Sequence, residues 1–180
     1  DQVLEQAKQS VRFARNLVAD VEFSPEDGYR SDMDFLCQVL EAVIAEGATT
    51  INVPDTVGYA DPLSVSRLFE KALKLAGDKF WCGHFHDTRG LALANVFASL
   101  QLGVSRFDAS LAGIGGCPHA PGASGNASSE DLAFMLQAMG VDCGIDLNQL
   151  LALRQSVTQW LSGEATHGAL WKSGLPKTMR

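Results

Sequence analysis

Asp78-Lys79-Phe80-Trp81-Cys82-Gly83-His84-Phe85-His86-Asp87-Thr88 is a short aromatic-rich run that closes on two histidines one residue apart. Side chains alternate along an extended strand with a period of two, so His84 and His86 leave the same face. A helical pattern follows from Arg89 through Phe97. The pair therefore stands at the carboxyl end of a strand that feeds a helix, where α/β enzymes keep their chemistry. Two neutral imidazoles on one rigid face can hold a divalent metal. The competing reading is a pair of strand histidines satisfied by backbone; the strand-end position favours the metal.

Outward from this stretch the chain alternates regularly. Val3, Leu4, Ala7, Val11, Ala14, Leu17 and Val18 form a helical stripe. Residues 20–24 read as a first short strand, and Ser31-Asp32-Met33-Asp34 as a cap with early acids. That helix is expected to reach about Glu46, with Gly47 to end it. The β-branched residues 49–54 make a second strand. Asp61-Pro62 opens a helix expected to reach about Ala76. A fourth strand is expected over 104–110, then a helix capped at Ser128-Ser129-Glu130-Asp131 and a last long one over 147–161.

Strands beginning near 20, 49, 79 and 104, each followed by a helix, imply a parallel sheet with helical crossovers. A full (β/α)₈ barrel needs roughly 250 residues. The 180 residues here carry four units and read as the C-terminal half of a TIM barrel, an α/β fold of four parallel strands alternating with helices. A small open flavodoxin-like sheet is the alternative. Polar residues at the strand ends, Glu22, Asp55, His86 and Asp108, suit a barrel mouth better. The half-barrel is expected over 1–165, and 166–180 as a polar, irregular tail from which Trp171 docks onto the body.

Composition narrows the partners. With 46% hydrophobic and 19% charged residues and a net charge of −7, the chain resembles a soluble globular protein. No run of Lys or Arg suggests nucleic acid, and the longest apolar stretch, 91–102, is too short for a bilayer. No signal peptide is recognisable; because the sequence does not begin with Met, Asp1 need not be a natural N-terminus. Four cysteines without CxxC spacing point to reduced thiols and a cytoplasmic location.

A second signal is the loop after the fourth strand, Leu111-Ala112-Gly113-Ile114-Gly115-Gly116-Cys117-Pro118-His119-Ala120-Pro121-Gly122-Ala123-Ser124-Gly125-Asn126. Its glycines permit positive φ and close approach of backbone to a ligand. The Asn126 amide oxygen suits Mg²⁺ or Mn²⁺. Cys117, glycine-flanked and so an improbable core position, can serve as acid or base on a loop that closes over substrate.

The segments Gly83–Asn95, Ala112–Pro118 and Gly122–Asn126 resemble the 3-hydroxy-3-methylglutaryl-CoA lyases, a match over about 79–180. Val21-Glu22-Phe23-Ser24-Pro25-Glu26-Asp27 and Thr49–Tyr59 are instead similar to the 2-isopropylmalate synthases of the same metal-dependent barrel superfamily, a match over about 1–77. The resemblance implies His84, His86 and Asn126 as metal ligands, Cys117 as the proton carrier in carbon–carbon cleavage, and Glu22, Ser24 and Thr56 as the lining of a 2-oxo acid pocket. The implied activity is cleavage of a 3-hydroxy-acyl-CoA with Mg²⁺ or Mn²⁺. Claisen condensation of acetyl-CoA with a 2-oxo acid is the alternative.

Both families also carry an Arg–Asp motif on a first strand, and these 180 residues contain none. Alone, the chain is therefore expected to hold a metal weakly and to turn over little substrate. A third reading is a half-barrel module without activity, with open strand edges, that forms a homodimer or accepts a complementing half-barrel. Other polar residues carry less. His119 and His167 read as surface groups, Asp87 as a cap or an orienting acceptor, Asp55 as a mouth residue, and Arg89 as solvated or bound to a CoA phosphate.

Overall fold

The computed structural model describes residues 2–76, 78–116, 122 and 125–177. Its centre is a parallel sheet whose strands lie in the order of the sequence. These are β1 (Glu22–Phe23), β2 (Thr50–Asp55), β3 (Phe80–Phe85) and β4 (Arg106–Asp108). The register aligns Glu22 with Thr50 and Phe80, Asn52 with Cys82 and Arg106, and Pro54 with His84 and Asp108. In-register parallel strands carry aligned residues on the same face. One face is therefore polar, with Glu22, Asn52, His84 and Asp108. The other carries Ile51, Val53, Trp81 and Phe85, all buried.

That apolar face is covered by helices. In chain order the helices are α1 (Gln2–Arg15), α2 (Met33–Ala45), α3 (Pro62–Ala72), α4 (Ala92–Gln101), α5 (Ser129–Ala138), α6 (Leu147–Trp160) and α7 (Ala169–Ser173), the last two packing with α5 in a separate cluster. Leu40 and Val43 of α2, Leu68 and Phe69 of α3 and Val96 of α4 join the strand residues in one core. Each fully buried side chain of this size contributes about 1.5–3 kcal/mol. Sequential strand order with crossovers of one hand puts the helices on one side, so the sheet is a piece of barrel wall rather than a doubly wound sheet. Among the described residues, no helix is long and apolar enough to cross a membrane.

Caps explain most helix starts. Asp32 accepts from Asp34 N and Phe35 N, and Asp61 forms a reciprocal capping box with Ser64 ahead of Pro62. Ser128 accepts from Asp131 N at the start of α5, and Asp146 from Asn148 N and Gln149 N at α6. Helix α3 stops at Ala72, one turn before the expected Ala76. The tail is less irregular than its composition suggests. Asp131 accepts from Ala169 N and Leu170 N, both at 2.7 Å, starting α7, and Leu170 is buried beside Leu147 and Ala133.

Asp55 closes β2 on the helix side, not at the mouth. It is 1% exposed and accepts from Tyr59 N at 2.8 Å and Ala60 N at 3.1 Å, folding the chain into the turn before α3. Burial pushes its carboxyl above the usual range, against the pull of those two donors. Replacing Asp55 by Ala is expected to cost about 1–3 kcal/mol for each backbone donor left unsatisfied. Urea unfolding of the two proteins side by side measures this.

Candidate active site

Strand β3 delivers its histidines to the polar face at the carboxyl edge of the sheet. Their ring centroids are 5.3 Å apart, tilted by 38°. His86 lies just beyond the strand and pairs across an isolated antiparallel bridge with Asn126. Backbone bonds from Asp87 N to Gly125 O and from Ala127 N to Phe85 O fix that pairing. So the strand end and the return of the Gly-rich loop are one unit, and the three residues expected to hold a metal come together.

Two of the three are oriented by a neighbour. His84 Nδ1 lies 3.2 Å from Asp108 Oδ2. With Nδ1–H donating to that carboxylate, Nε2 keeps the free lone pair. Asn126 Nδ2 donates to Ile114 O at 3.1 Å, which fixes the attitude of the amide. Asn126 Oδ1 and His86 Nδ1 are both buried without a hydrogen-bond partner among the described residues. Buried polar atoms without partners are uncommon and costly; here they leave two lone-pair donors beside His84. Among the described residues no three His, Cys, Asp or Glu side chains gather as a metal cluster. The candidate set for a divalent cation is two imidazoles and an amide.

Asp108 extends the site downward. Its Oδ2 also accepts from Asn52 Nδ2 at 2.6 Å, and the same amide nitrogen donates to Glu22 Oε1 at 3.1 Å. Ser24 Oγ reaches Glu22 Oε1 at 3.3 Å. A continuous polar chain therefore runs Ser24–Glu22–Asn52–Asp108–His84 across all four strands. It borders an open hollow of about 360 Å³ whose wall includes Asp20, Glu22, Thr50, Cys82, Arg106 and Asp108. The hydrogen bond from His84 holds the Asp108 carboxyl below the usual range, with Asn52 adding to it. Burial, then the nearby Asp108 charge, pushes the Cys82 thiol up to about 12.

Not every expected residue joins this chain. Glu22 and Ser24 do. Thr56 Oγ1 accepts from Asp27 N at 2.8 Å in the neighbouring turn. Asp87 bonds Ala92 N at 3.0 Å, so it caps α4 rather than orienting a histidine. Arg89 donates to the carbonyls of Val57 and Gly58, tying two loops together. His167 is not a bystander: its backbone N donates to Ala112 O, and its ring lies where a Cβ on Gly113 would stand, 2.3 Å from it. Cys117 and His119 lie outside the described residues. Asn52 was not singled out in the sequence, and Asp108 only as a strand-end residue, yet both join this chain of hydrogen bonds. The period-two alternation that aligned the histidines could have placed both.

Burial, and secondarily the charge of His84, lowers the pKa of His86 from 6.5. The folded state thus favours the neutral imidazole, so stability is lost as pH falls below about 6.5 toward the folded value. In an NMR histidine titration of metal-free protein, His86 is expected to titrate below 6.5.

The model of the HMGL-like family matches residues 1–157. A 2-isopropylmalate synthase of Paracidovorax citrulli (strain AAC00-1) is 48% identical over 167 residues, 88% of this chain and 31% of that protein. A hydroxymethylglutaryl-CoA lyase from Pseudomonas aeruginosa superposes with a TM-score of 0.82 at 31% identity, covering 94% of this chain and 58% of that one. An HMG-CoA lyase from Acinetobacter baumannii, solved with coenzyme A and 3-methylmalate, is 41% identical with a TM-score of 0.73 over 77% of this chain and 45% of that one. The chain spans about a third of the length of the curated synthases it matches. On its fold and over most of its length, the chain belongs to the HMGL-like family of metal-dependent barrel lyases and synthases.

Proposed function

We propose that this chain is the part of a carbon–carbon lyase that holds a divalent metal, Mg²⁺ or Mn²⁺, in an enzyme that cleaves a 3-hydroxy-acyl-CoA. The observation that carries the reading is the pair of atoms without a partner among the described residues, His86 Nδ1 and Asn126 Oδ1, beside His84 at the carboxyl end of β3. A metal held by His84, His86 and Asn126 would supply a Lewis acid for the oxygens of a hydroxy-acid substrate.

The chain's own residues do the rest. Asp108 keeps the His84 ring in one tautomer and attitude. Ile114 O does the same for the Asn126 amide. Glu22 lines the hollow and Ser24 Oγ is hydrogen-bonded to it, placed to meet the polar end of a substrate. In cleavage the substrate hydroxyl gives up its proton, the adjacent C–C bond breaks to a carbonyl and an enolate thioester, and the enolate carbon takes a proton. Cys117, by its place in the Gly-Gly-Cys-Pro loop, is the proposed donor of that proton. The A. baumannii lyase, solved with coenzyme A and 3-methylmalate, supports a CoA thioester and a hydroxy-dicarboxylate as the substrate classes. The half-barrel is proposed for 1–165.

A second reading is condensation of acetyl-CoA with a 2-oxo acid. The 48% identity to a 2-isopropylmalate synthase favours it, together with the Glu22–Ser24 pair at the hollow and Thr56 in the adjoining turn.

Mn²⁺ titrated calorimetrically into this chain and into His84→Ala tests the metal. At least a tenfold loss of affinity in the variant is expected; equal binding by both would contradict the reading. With the full-length polypeptide, acetoacetate released from hydroxymethylglutaryl-CoA marks the lyase. CoA released from acetyl-CoA only with a 2-oxo acid marks the synthase.

A further inference from the structure

A closed ring of buried hydrogen bonds sits behind the Gly-rich loop. Ala112 N donates to both carboxylate oxygens of Glu130, at 3.0 and 3.1 Å. Arg154 Nη1 donates to Glu130 Oε1 at 3.2 Å and to His167 O at 2.8 Å. His167 N then donates to Ala112 O at 3.0 Å, closing the ring. Ser128 Oγ adds a bond to Glu130 Oε2 at 2.7 Å. Glu130 is 0% and Arg154 2% exposed, and the Arg154 guanidinium lies 5.4 Å from the Trp171 ring.

A buried ion pair is weak support for stability, because removing two charges from water offsets most of their attraction. What this pair does is geometric. Ala112 has φ 59°, ψ 14°, a left-handed conformation that a side chain disfavours and that persists only where its surroundings over-determine it. The ring grips Ala112 at both its N–H and its carbonyl. From there residues 113–115 are packed in turn against 125–126. The Gly113 carbonyl is pressed against Gly125, where a Cβ would stand 2.1 Å from it. Ile114 O receives the Asn126 amide, and a Cβ on Gly115 would stand 2.5 Å from Asn126 Nδ2. The left-handed start at Ala112 thus sets where the Ile114 carbonyl lies, and that carbonyl sets which way Asn126 Oδ1 faces.

We propose that Arg154 is a positioning residue: through its ring with Glu130, His167 and Ala112 it fixes the Gly-rich loop and so aims Asn126 Oδ1 into the metal-holding site. The strap 167–173, anchored to Asp131 at the start of α7, completes the grip. The inference rests on reading Asn126 as a metal-holding residue, but its mechanical part does not.

Two measurements at a temperature where all variants are folded test it. In Arg154→Met, hydrogen exchange is expected to accelerate at the amides of Ser110, Gly113 and Ser129, but not at those of β2 and β3. Mn²⁺ affinity is expected to fall about 10–100-fold, with partial recovery in Arg154→Lys. Val96→Ala, a core change remote from the loop, is expected to lower stability while leaving Mn²⁺ affinity unchanged. Should Arg154→Met fail to fold, Asp131→Ala, which loosens only the strap, is expected to move both readouts in the same direction by less. Unchanged exchange at the loop amides in a folded variant would overturn the proposal, as would accelerated exchange with unaltered Mn²⁺ affinity. If the unsubstituted chain binds no Mn²⁺, the metal reading fails instead, and the exchange data still decide whether Arg154 holds the loop.

Discussion

The in-register pairing of parallel strands is the constraint on which everything else depends. Because β1 to β4 align residue against residue, their period-two alternation adds up across the sheet instead of cancelling. One set of aligned residues, among them Ile51, Val53, Trp81 and Phe85, takes the helices. The other, Glu22, Asn52, His84 and Asp108, is left together on the opposite face. A slip of one residue in β3 would bury His84 among the helices and turn Phe85 outward. Apolar burial on one side therefore enforces polar convergence on the other, and the chemistry inherits its geometry from the core.

Convergence alone would not make a site; the side chains must also be held in attitude. The polar face does this with a chain of hydrogen bonds across four strands, so that the His84 ring is set by Asp108, Asp108 by Asn52, and Asn52 in turn by Glu22. The third donor arrives from outside the sheet. Asn126 is placed by backbone pairing with the end of β3 and aimed by the Ile114 carbonyl. Behind that loop the buried Glu130–Arg154 pair links α5, α6 and the tail into a single support. The site thus has a rigid wall and a clamped loop, as a constellation needs if its members are to act together.

Much of this was legible in the sequence, for reasons that are local. The one-residue spacing of His84 and His86, the caps at Asp32, Asp61, Ser128 and Asp146, and Gly47 beyond α2 depend on neighbours a few positions away, and the structure places them as read. What stayed hidden depends on residues far apart in the chain. Asp108 was visible only as a strand-end residue because its partners, His84 and Asn52, lie far off in the chain. Asp55 looked like a mouth residue because its polarity was visible but its partners, Tyr59 N and Ala60 N, were not. Nothing in the sequence links Glu130 to Arg154, 24 residues on, or His167 to Ala112. The short helix at 169–173 was equally invisible, since it starts on a carboxylate of another helix rather than on a cap of its own.

Crystals grown with Mn²⁺ and measured at a wavelength where manganese scatters anomalously test the central claim most directly. The account predicts one anomalous peak enclosed by His84, His86 and the Asn126 side-chain oxygen, with Asp108 in contact with His84 rather than with the ion. A peak instead among the carboxylates of the hollow, Asp20, Glu22 and Asp108, or none on this face, would contradict it.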